Sequence, residues 1–301
     1  MTAPRRQAAV LGHPIGHSRS PALHRAAYAA LGEDIDYGSF DLVPEQLGDF
    51  ISKVRDEAGW CGLSVTMPLK SALVAHVDRV VGHAASLGAL NTVVFEPSPS
   101  GRPALVGHNT DVAGIVEAFR HAGVERAVRP VVVGAGNTAL AAVAAIAELG
   151  ATSVRFLVRN PERAGEAAGL AERLGLDAAL EGFAGGAEAL EEADVAVSTL
   201  PPRAADGLAD ELSALPRTDD GGAAPEGVAH RGVLLDVAYD PWPSKVSLAW
   251  EERGGRVLHG LEMLVYQAVE QIVLFTGRDD ARTREVIDVM CDSVGLPRRT
   301  R

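Results

Sequence analysis

The amino-acid sequence predicts an α/β protein of two domains. The chain has 301 residues, about twice the length of a common single domain. Short, continuously apolar segments such as 131–133 and 195–197 alternate with segments of helical periodicity. Continuous apolarity is typical of parallel strands, because helices cover both faces of such a sheet. With 47% hydrophobic and 23% charged residues, the chain can bury a core in each domain.

The first half of the chain predicts a mixed set of strands and helices. Strands are predicted at 7–11, 35–42 and 62–65, with a hairpin of 91–95 and 104–106 around a Pro- and Gly-containing turn. Helices are predicted at 21–31, at 44–58, from Pro68 onward and at 112–122.

The second half predicts a regular alternation of strands and helices. Four strands are predicted at 131–133, 154–158, 195–197 and 233–237, with helices between them, and a helix pair follows at 261–276 and 281–294. This order is expected of a parallel sheet with crossover helices.

Composition excludes several classes of function. The net charge of −12 disfavours nucleic acid, whose phosphates attract a basic surface. Two distant cysteines exclude a disulfide scaffold and a Cys-rich zinc site. The basic residues 1–7 do not form a signal peptide, and the longest apolar run, 131–147, is too interrupted to span a membrane. We therefore expect a cytoplasmic protein with no nucleic-acid or membrane partner.

A nucleotide-binding pattern follows the strand at 131–133. The loop has the form G-x-G-x-x-A and comprises Gly134, Ala135, Gly136, Asn137, Thr138 and Ala139. Gly134 permits a tight turn, Gly136 lets the backbone approach a pyrophosphate, and Ala139 lets the following helix pack closely on the strand. The helix N-terminus adds amide donors for an anion. The pattern predicts a Rossmann-type dinucleotide-binding domain, although an ordinary glycine-rich turn has the same composition.

The end of the next strand predicts which dinucleotide is bound. An NAD site usually places Asp or Glu there, to accept a hydrogen bond from the ribose 2′-hydroxyl. This chain has Arg159, then Asn160 at a helix cap and Arg163 one turn later. Two guanidinium groups favour a 2′-phosphate, so we predict NADP. The alternative is a solvated pair of arginines in an arginine-rich chain.

Two serines stand before the first predicted helix. Ser18 and Ser20 precede Pro21, and Ser20 is a candidate N-cap. Two hydroxyl groups at a helix N-terminus also suit a substrate carboxylate. His13 and His17 have the spacing of a metal pair, but Pro14 and Gly16 disfavour the helix that would align them, and we predict no metal.

Further polar residues stand at other predicted element ends. Thr66 and Lys70 follow the strand at 62–65, Asn91 begins the hairpin, and Asp111 precedes the helix at 112–122. Each has an ordinary structural explanation: Lys70 as a solvated lysine of a first helical turn, Asp111 as an N-cap and Asn91 as a turn residue. Lys70 is nevertheless one of only three lysines among 28 basic residues, which hints that arginine does not serve at its position.

A nicotinamide enzyme must move a proton at oxygen while hydride moves at carbon. The chain has no Tyr-x-x-x-Lys pair, and its two cysteines do not supply a catalytic zinc site. A lysine oriented by a carboxylate remains, and Lys70 with Asp111 fits that description.

Seven segments carry a resemblance over residues 11 to about 277. They are GHPIGHSRSP at 12–21, SVTMPLK at 64–70, GALNT at 88–92, NTD at 109–111, the loop at 134–139, DVAYDP at 236–241 and GLEMLVYQ at 260–267. In this order they resemble the shikimate dehydrogenase family. The resemblance implies reversible, NADPH-dependent reduction of 3-dehydroshikimate to shikimate, in the shikimate pathway that leads to chorismate and the aromatic amino acids.

The resemblance also implies roles for individual residues. The substrate carboxylate is expected to bind Ser18, Ser20, Thr66 and Tyr239. The ring hydroxyls are expected to bind Lys70, Asn91, Asp111 and Gln267. Lys70 and Asp111 are the expected catalytic pair, and Gly260 and Met263 are expected to line the nicotinamide. This sequence departs from the family at Ser64, where Asn is common.

The implied architecture is discontinuous. Residues 1–110 and 261–301 are expected to form an α/β substrate domain, and residues 111–260 the NADP-binding domain, with the active-site cleft between them. The protein is expected to be a monomer or homodimer that binds a small molecule.

Two alternatives remain open at this stage. One is a quinate/shikimate dehydrogenase paralogue that uses NAD. The other is a ligand-sensing homologue that binds without turnover, which the intact Lys70–Asp111 pair disfavours.

Overall fold

The computed structural model describes residues 5–216 and 232–299. The chain divides into two compact units, Met1–Gly114 with Leu264–Arg301, and Ile115–Met263. The predicted boundaries after residues 110 and 260 lie a few residues earlier than these divisions. One consequence is that Asp111 belongs to the first unit, together with Lys70.

Strands and helices alternate along the described residues. The strands are β1 (Arg6–Gly12), β2 (Ile35–Asp41), β3 (Trp60–Val65), β4 (Arg79–Val80), β5 (Thr92–Glu96), β6 (Ala104–His108), β7 (Pro130–Val133), β8 (Ser153–Leu157), β9 (Asp177–Glu181), β10 (Val195–Ser198), β11 (Val233–Asp236) and β12 (Arg256–His259). The helices are α1 (Ser20–Leu31), α2 (Leu47–Asp56), α3 (His83–Leu87), α4 (Asp111–His121), α5 (Asn137–Glu148), α6 (Gly165–Arg173), α7 (Gly186–Glu192), α8 (Asp206–Ala214), α9 (Lys245–Glu252), α10 (Gly260–Thr276) and α11 (Arg284–Val294).

The first unit contains a mixed six-stranded sheet in the order β2-β1-β3-β5-β6-β4. Strand β1 is parallel to β2 and β3, whereas β5 is antiparallel to β3 and β6. Successive residues of β1 face opposite sides. Val10 packs with Leu23 of α1 and Val265 of α10, while Leu11 packs with Leu47 of α2. Both faces of the sheet are therefore covered, which explains the unbroken apolar run of β1.

The second unit contains a six-stranded, wholly parallel sheet in the order β12-β11-β10-β7-β8-β9. Counted from β7, this is the doubly wound order of dinucleotide-binding domains, with the reversal of strand order between β7 and β10. Ligands of such sheets bind beyond the carboxyl ends of the strands at that reversal. The glycine loop begins there, directly after β7.

The structure corrects several predicted elements. No helix begins at Pro68; the chain turns instead and forms a short 3-10 helix at Ala72–His76. Strands β4, β9 and β12 were not predicted. They are short or carry polar end residues, and each lies at a sheet edge, where burial imposes a weaker apolar pattern.

Candidate active site

Lys70 and Asp111 form an ion pair in the first unit. The ammonium group of Lys70 bonds the Oδ2 atom of Asp111. The two side chains are only 11% and 6% exposed, so both charges are largely withdrawn from water. The other lysines, Lys53 and Lys245, make ion pairs in which the lysine side chain is 73% or 49% exposed. Removing one partner of a buried pair is costly, because the other charge is left uncompensated.

Asn91 holds the second carboxylate oxygen of Asp111. Its Nδ2 atom donates to Asp111 Oδ1 over 2.7 Å. Its Oδ1 atom accepts from the Thr110 amide and the Thr92 hydroxyl, each at 2.8 Å. Because one oxygen of Asp111 bonds Lys70 and the other bonds Asn91, rotation of the carboxylate would break both interactions.

Gln267 joins this cluster from α10. Its Oε1 atom lies 3.3 Å from Asn91 Nδ2 and 3.4 Å from the Thr110 hydroxyl. Its Nε2 atom donates to the Leu264 carbonyl over 2.9 Å. Although Gln267 follows Asn91 by 176 residues, the return of α10 to the first unit places their amide groups in contact.

Lys70 lies on a turn after β3, not in the first turn of a helix as the sequence predicted. The Leu69 amide donates to the Thr66 carbonyl over 2.9 Å and closes the turn. The Lys70 carbonyl accepts from the Leu90 amide over 3.0 Å, so it is committed to another segment. This long-range bond overrides the local helical preference and fixes the backbone from which the lysine side chain extends.

Asp111 begins α4, but its carboxylate takes no part in capping among the bonds the structure describes. The Asp111 amide instead donates to Asn109 Oδ1 over 3.0 Å. The Nδ2 atom of Asn109 donates to the Ala89 carbonyl over 3.1 Å. Asn109 thus serves the helix start, and the carboxylate of Asp111 is used by Lys70 and Asn91.

Ser18, Ser20 and Thr66 lie at the carboxyl ends of β1 and β3. The Thr66 methyl group occupies the space beside Gly12, where an added Cβ atom would approach it to 2.4 Å. The predicted N-cap at Ser20 is wrong: Arg19 is the N-cap of α1 and makes no side-chain capping bond. The Ser18 hydroxyl accepts from the Ser20 amide over 3.3 Å, and the side chain of Ser20 is buried.

The glycine loop of the second unit combines two different demands. Gly134 has φ +111°, and a Cβ atom there would meet the Thr199 hydroxyl at 2.5 Å, so the fold itself requires glycine. Gly136 has φ −87°, and a Cβ atom there would meet nothing within 4 Å. Ala139 is fully buried in α5, as close packing on the strand requires. The remaining residues of the loop, Ala135, Asn137 and Thr138, are half-buried.

Arg159 and Asn160 follow β8, which neighbours β7 in the sheet. Both are exposed. Asn160 caps the short 3-10 helix Pro161–Arg163 by accepting from the Glu162 amide over 3.0 Å. The side chain of Arg163 lies outside the described part of the chain. The Arg159 guanidinium therefore stands at the strand end where dinucleotide sites recognise the ribose.

Tyr239, Gly260 and Met263 belong to the second unit. Tyr239 is half-buried on the segment after β11, and Met263 is buried in α10. A Cβ atom at Gly260 would approach the Val237 carbonyl to 2.3 Å, so α10 can begin close to β11 only at a glycine.

Asp236 is a buried polar residue to which the sequence analysis gave no role. It accepts from the Ser244 hydroxyl over 2.5 Å and from the Ala238 amide over 3.3 Å. Burial raises the pKa of this carboxyl, and the hydroxyls that it accepts from oppose that shift. These bonds tie both ends of the segment that carries Tyr239. The presence of Asp236 in the DVAYDP motif was the available signal.

Gln271 is a second residue that the sequence analysis missed. It follows Gln267 by four residues, which places both amides on one face of α10. It is 1% exposed and bonds Ser64, Thr92 and the Asn91 carbonyl. A pair of amide side chains at this spacing in a largely apolar helix was the signal that could have found it.

Within residues 5–216 and 232–299, no group of His, Cys, Asp and Glu is arranged to hold a metal ion. The exposed His13, rejected above as a metal ligand, bonds Asp41 Oδ1 through Nδ1 over 2.6 Å. Over the same ranges, every helix is too short or too polar to cross a membrane.

Similarity to known proteins extends over nearly the whole chain. Residues 10–93 match a family described as shikimate dehydrogenase substrate binding domain, and residues 260–286 match the shikimate 5′-dehydrogenase C-terminal domain. Residues 130–219 match a family described as NADP oxidoreductase, coenzyme F420-dependent. The shikimate dehydrogenase (NADP(+)) of Moorella thermoacetica is 35% identical, over 90% of this chain and 88% of its own. The chain belongs to the shikimate dehydrogenase family.

Solved structures of family members agree with this assignment. The Mycobacterium tuberculosis shikimate dehydrogenase has 37% identity and a TM-score of 0.81, with 97% of this chain and 100% of that chain covered. The Thermus thermophilus shikimate 5-dehydrogenase, solved with NADP(H) and shikimate, has 32% identity and a TM-score of 0.74, with coverage of 96% and 99%. The predicted family and the predicted α/β fold class are confirmed.

The family models cover most of the residues that surround Lys70. The match to the substrate binding domain covers Ser18, Ser20, Thr66, Lys70 and Asn91. The match to the C-terminal domain covers Gln267. The two matched segments meet in the first unit, where α10 packs on the N-terminal sheet.

Proposed function

We propose that this chain catalyses the reversible, NADP-dependent oxidation of shikimate to 3-dehydroshikimate, with Lys70 and Asp111 as the pair that handles the proton. The observation that carries the proposal is the buried Lys70–Asp111 ion pair, held by Asn91 in the unit that matches the substrate binding domain. Relatives at 32–38% identity are shikimate dehydrogenases that use NADP(+). The reaction belongs to the route to chorismate and the aromatic amino acids.

The polar groups of the first unit suit a small acid that carries several hydroxyls. Ser18, Ser20 and Thr66 offer hydroxyl donors at one edge of the sheet, where they would hold the carboxylate. Asn91 and Gln267 present amide groups beside the ion pair, where they would bind ring hydroxyls. Groups that both donate and accept are appropriate there, because a hydroxyl also does both.

The Lys70 ammonium is the proton donor in the direction of reduction. Its Nζ atom gives a proton to the substrate oxygen as the C=O bond becomes C–O–H, and it takes the proton back in the reverse direction. Asp111 keeps the ammonium oriented and balances its charge away from water. Asn91 fixes the Asp111 carboxylate, so the negative charge of Asp111 stays beside the Lys70 nitrogen throughout.

The glycine loop fits a dinucleotide. The open space at Gly136 is the place that a pyrophosphate requires, and a side chain there would fill it. The N-terminus of α5 directs amide groups toward the same space. When bound, NADPH supplies the hydride for the reaction. Gly134–Ala139 would hold the pyrophosphate, Arg159, Asn160 and Arg163 the adenosine phosphate, and Gly260 and Met263 the nicotinamide side.

The choice of NADP over NAD rests on Arg159. Its exposed guanidinium can form charge-assisted hydrogen bonds with a 2′-phosphate, for which the uncharged ribose of NAD offers no equivalent. The names of the relatives agree with the cofactor predicted from sequence.

We further propose that the protein works in the cytoplasm as a monomer or homodimer. Two cysteines far apart in the sequence suit a reducing compartment. Light scattering of the purified protein measures the number of chains, and a mass above that of a dimer would contradict the assignment.

Absorbance of reduced nicotinamide tests the proposed function. Purified protein is mixed with shikimate or quinate, each with NADP or NAD. The expected result is rapid reduction of NADP with shikimate and much slower reduction in the other three mixtures. Turnover of quinate with NAD, and little with NADP, would favour the quinate paralogue. Shikimate binding without oxidation would favour the ligand-sensing alternative.

A further inference from the structure

A chain of buried polar groups lies beneath the proposed substrate site. Its centre is Gln271, whose Oε1 atom accepts from the Ser64 hydroxyl over 2.8 Å. Its Nε2 atom donates to the Thr92 hydroxyl over 3.0 Å and to the Asn91 carbonyl over 3.2 Å. Because a carbonyl only accepts, the contact with Asn91 fixes which end of the amide faces each partner.

His24 supplies a second donor to Gln271. Its Nε2 atom lies 3.1 Å from Gln271 Oε1, and its Nδ1 atom lies 3.1 Å from the Tyr28 hydroxyl. Burial lowers the pKa of His24 to about 3, so the ring is neutral at physiological pH. Since Gln271 Oε1 can only accept, Nε2 carries the hydrogen and Nδ1 accepts from Tyr28. Gln271 Oε1 therefore keeps one donor even without Ser64.

Tyr37 lies between these buried polar groups and Ser20. Its hydroxyl lies 2.7 Å from Ser64 Oγ, and its side chain is fully buried. Its ring stacks on His24 with centroids 4.0 Å apart. Ser20 stands one helical turn before His24, which places both side chains on the same face of α1, and the side chain of Ser20 is buried. Burial raises the pKa of that phenol, and hydrogen bonds with Ser64 and Ser20 oppose the shift.

Each hydroxyl in this series of hydrogen bonds has a single proton to donate, so successive hydrogen bonds must run in the same direction. Ser64 donates to Gln271 Oε1, Tyr37 donates to Ser64, and Ser20 can then only donate to Tyr37. A substrate carboxylate accepts hydrogen bonds but cannot donate them. Ser20 must therefore turn its proton away from Tyr37 in order to bind a carboxylate.

We propose that Tyr37 is a positioning residue for the substrate carboxylate, and that its hydroxyl turns from Ser64 to Ser20 when Ser20 donates to that carboxylate. The inference rests on the proposed function, in which Ser20 binds the carboxylate. Donation from Tyr37 makes Ser20 a stronger donor, because hydrogen bonds in a chain polarise one another. The Ser64 hydroxyl then donates either to the Tyr37 oxygen or, as before, to Gln271 Oε1. In both cases Gln271 Oε1 keeps the hydrogen bond from His24.

Tyr37→Phe tests the proposal, because it removes the hydroxyl and keeps the ring that stacks on His24. We expect the Kd for shikimate, measured by calorimetry without cofactor, to rise about tenfold, the size expected for losing support of a charge-assisted hydrogen bond. The KM for shikimate should rise in parallel, while kcat and the KM for NADP stay close to the wild-type values, since Tyr37 touches no reacting atom.

Tyr28→Phe is the matched control. It removes another buried hydroxyl that bonds the same His24, at the end of the chain away from Ser20. We expect it to leave shikimate binding unchanged. Equal weakening in both variants would overturn the proposal, because general loosening of the core would then explain both. Wild-type shikimate binding in Tyr37→Phe would also overturn it.

Ser64→Ala gives an independent test that does not alter Tyr37. It removes the acceptor that competes with Ser20 for the Tyr37 proton, so shikimate should bind at least as tightly as in the wild type. Weaker binding would contradict the proposed reorientation. If the wild-type protein neither binds nor oxidises shikimate, the proposed function fails and this inference fails with it. Wild-type turnover with unaffected binding in Tyr37→Phe overturns this inference alone.

Discussion

The Lys70 cluster and the glycine loop use opposite means to prepare a binding site. In the Lys70 cluster, side chains hold one another: Asp111 bonds Lys70 and Asn91, and Gln267 contacts Asn91. In the glycine loop the groups proposed to bind the pyrophosphate are backbone amides, and a Cβ atom at Gly136 would meet nothing within 4 Å. The first arrangement is buried before any ligand arrives, whereas the second leaves open space.

This difference indicates where each site is sensitive to substitution. A buried network loses several bonds when one member is removed, and the remaining charge becomes unfavourable. A backbone site tolerates a changed neighbour but not an added atom in the space that the ligand needs. Substitutions in the two regions should therefore alter different kinetic constants.

The largest effect is expected for Lys70→Ala. We expect kcat to fall about 10²–10⁴-fold, with a smaller change in KM. The reason is that the proton donated by Lys70 stabilises the transition state more than the bound substrate. Lys53→Ala is the control, since Lys53 also faces a carboxylate, at 3.9 Å from Glu57, but is 73% exposed. Steady-state kinetics of both folded variants give the comparison. Near-normal kcat in Lys70→Ala would remove Lys70 from the catalytic role.

Gly136→Ala should affect the cofactor alone. The φ of −87° suits alanine, and the added methyl meets nothing, so the unfolding temperature should stay near the wild-type value. The KM for NADP should rise about tenfold or more, because the methyl occupies the approach of the pyrophosphate. Gly207→Ala, which also adds a methyl in open space within the second unit, should leave the KM for NADP unchanged.

Gly134→Ala sharpens the same comparison. Alanine at φ +111° is strained and collides with Thr199, so this variant should unfold at a lower temperature. Thermal unfolding followed by circular dichroism separates the two glycines. Equal stability of the Gly134 and Gly136 variants would contradict the distinction between a glycine that the fold needs and one that the ligand needs.

Arg159→Ala should change the preference between cofactors. We expect the KM for NADP to rise about tenfold, as a charge-assisted bond is lost, and the KM for NAD to change little. Both constants are measured on the same preparation, so each cofactor controls for the other. An equal rise in both would show that Arg159 does not recognise the 2′-phosphate.

The lowered pKa of His24 predicts that the stability of the fold depends on pH. Its pKa is about 3 in the folded protein and about 6.5 in the unfolded chain, so only the unfolded chain gains a proton between these values. The free energy of unfolding should therefore decrease as the pH falls from 6.5 toward 3, by up to about 1.4 kcal/mol per pH unit. Denaturant titrations at pH 6.5 and 4.5 measure this slope.

His24→Gln is the comparison for that slope. Burial also lowers the pKa of His108 and His259, and both remain in the variant. The difference between the two slopes therefore isolates His24. Identical slopes would mean that His24 is not held neutral in the folded protein.

The nucleotide loop could be predicted from local sequence, but the Lys70 cluster could not. Strand, loop and helix at 131–148 are adjacent in the chain, so their pattern is visible to periodicity and glycine spacing. Lys70 and Asp111 are 41 residues apart, and Gln267 is 176 residues from Asn91. The need for a proton-handling group had paired Lys70 with Asp111 in advance, but only the family resemblance joined Asn91 and Gln267 to them.

The errors in the sequence analysis also have tertiary causes. A helix was predicted from Pro68, but the bond between the Leu90 amide and the Lys70 carbonyl makes the chain turn. Ser20 resembles an N-cap, but its hydroxyl is buried beside Tyr37. In both cases a segment distant in sequence decided the local conformation.

A double-mutant cycle on Lys70 and Asp111 tests the central claim most directly. The kcat values of Lys70→Met, Asp111→Asn and the double variant are compared with that of the wild type, with shikimate and NADP saturating. If the two side chains act as a unit, the double variant should be about as slow as the slower single variant. If the two losses multiply, each residue acts separately, and the account of a coupled proton-handling pair is contradicted.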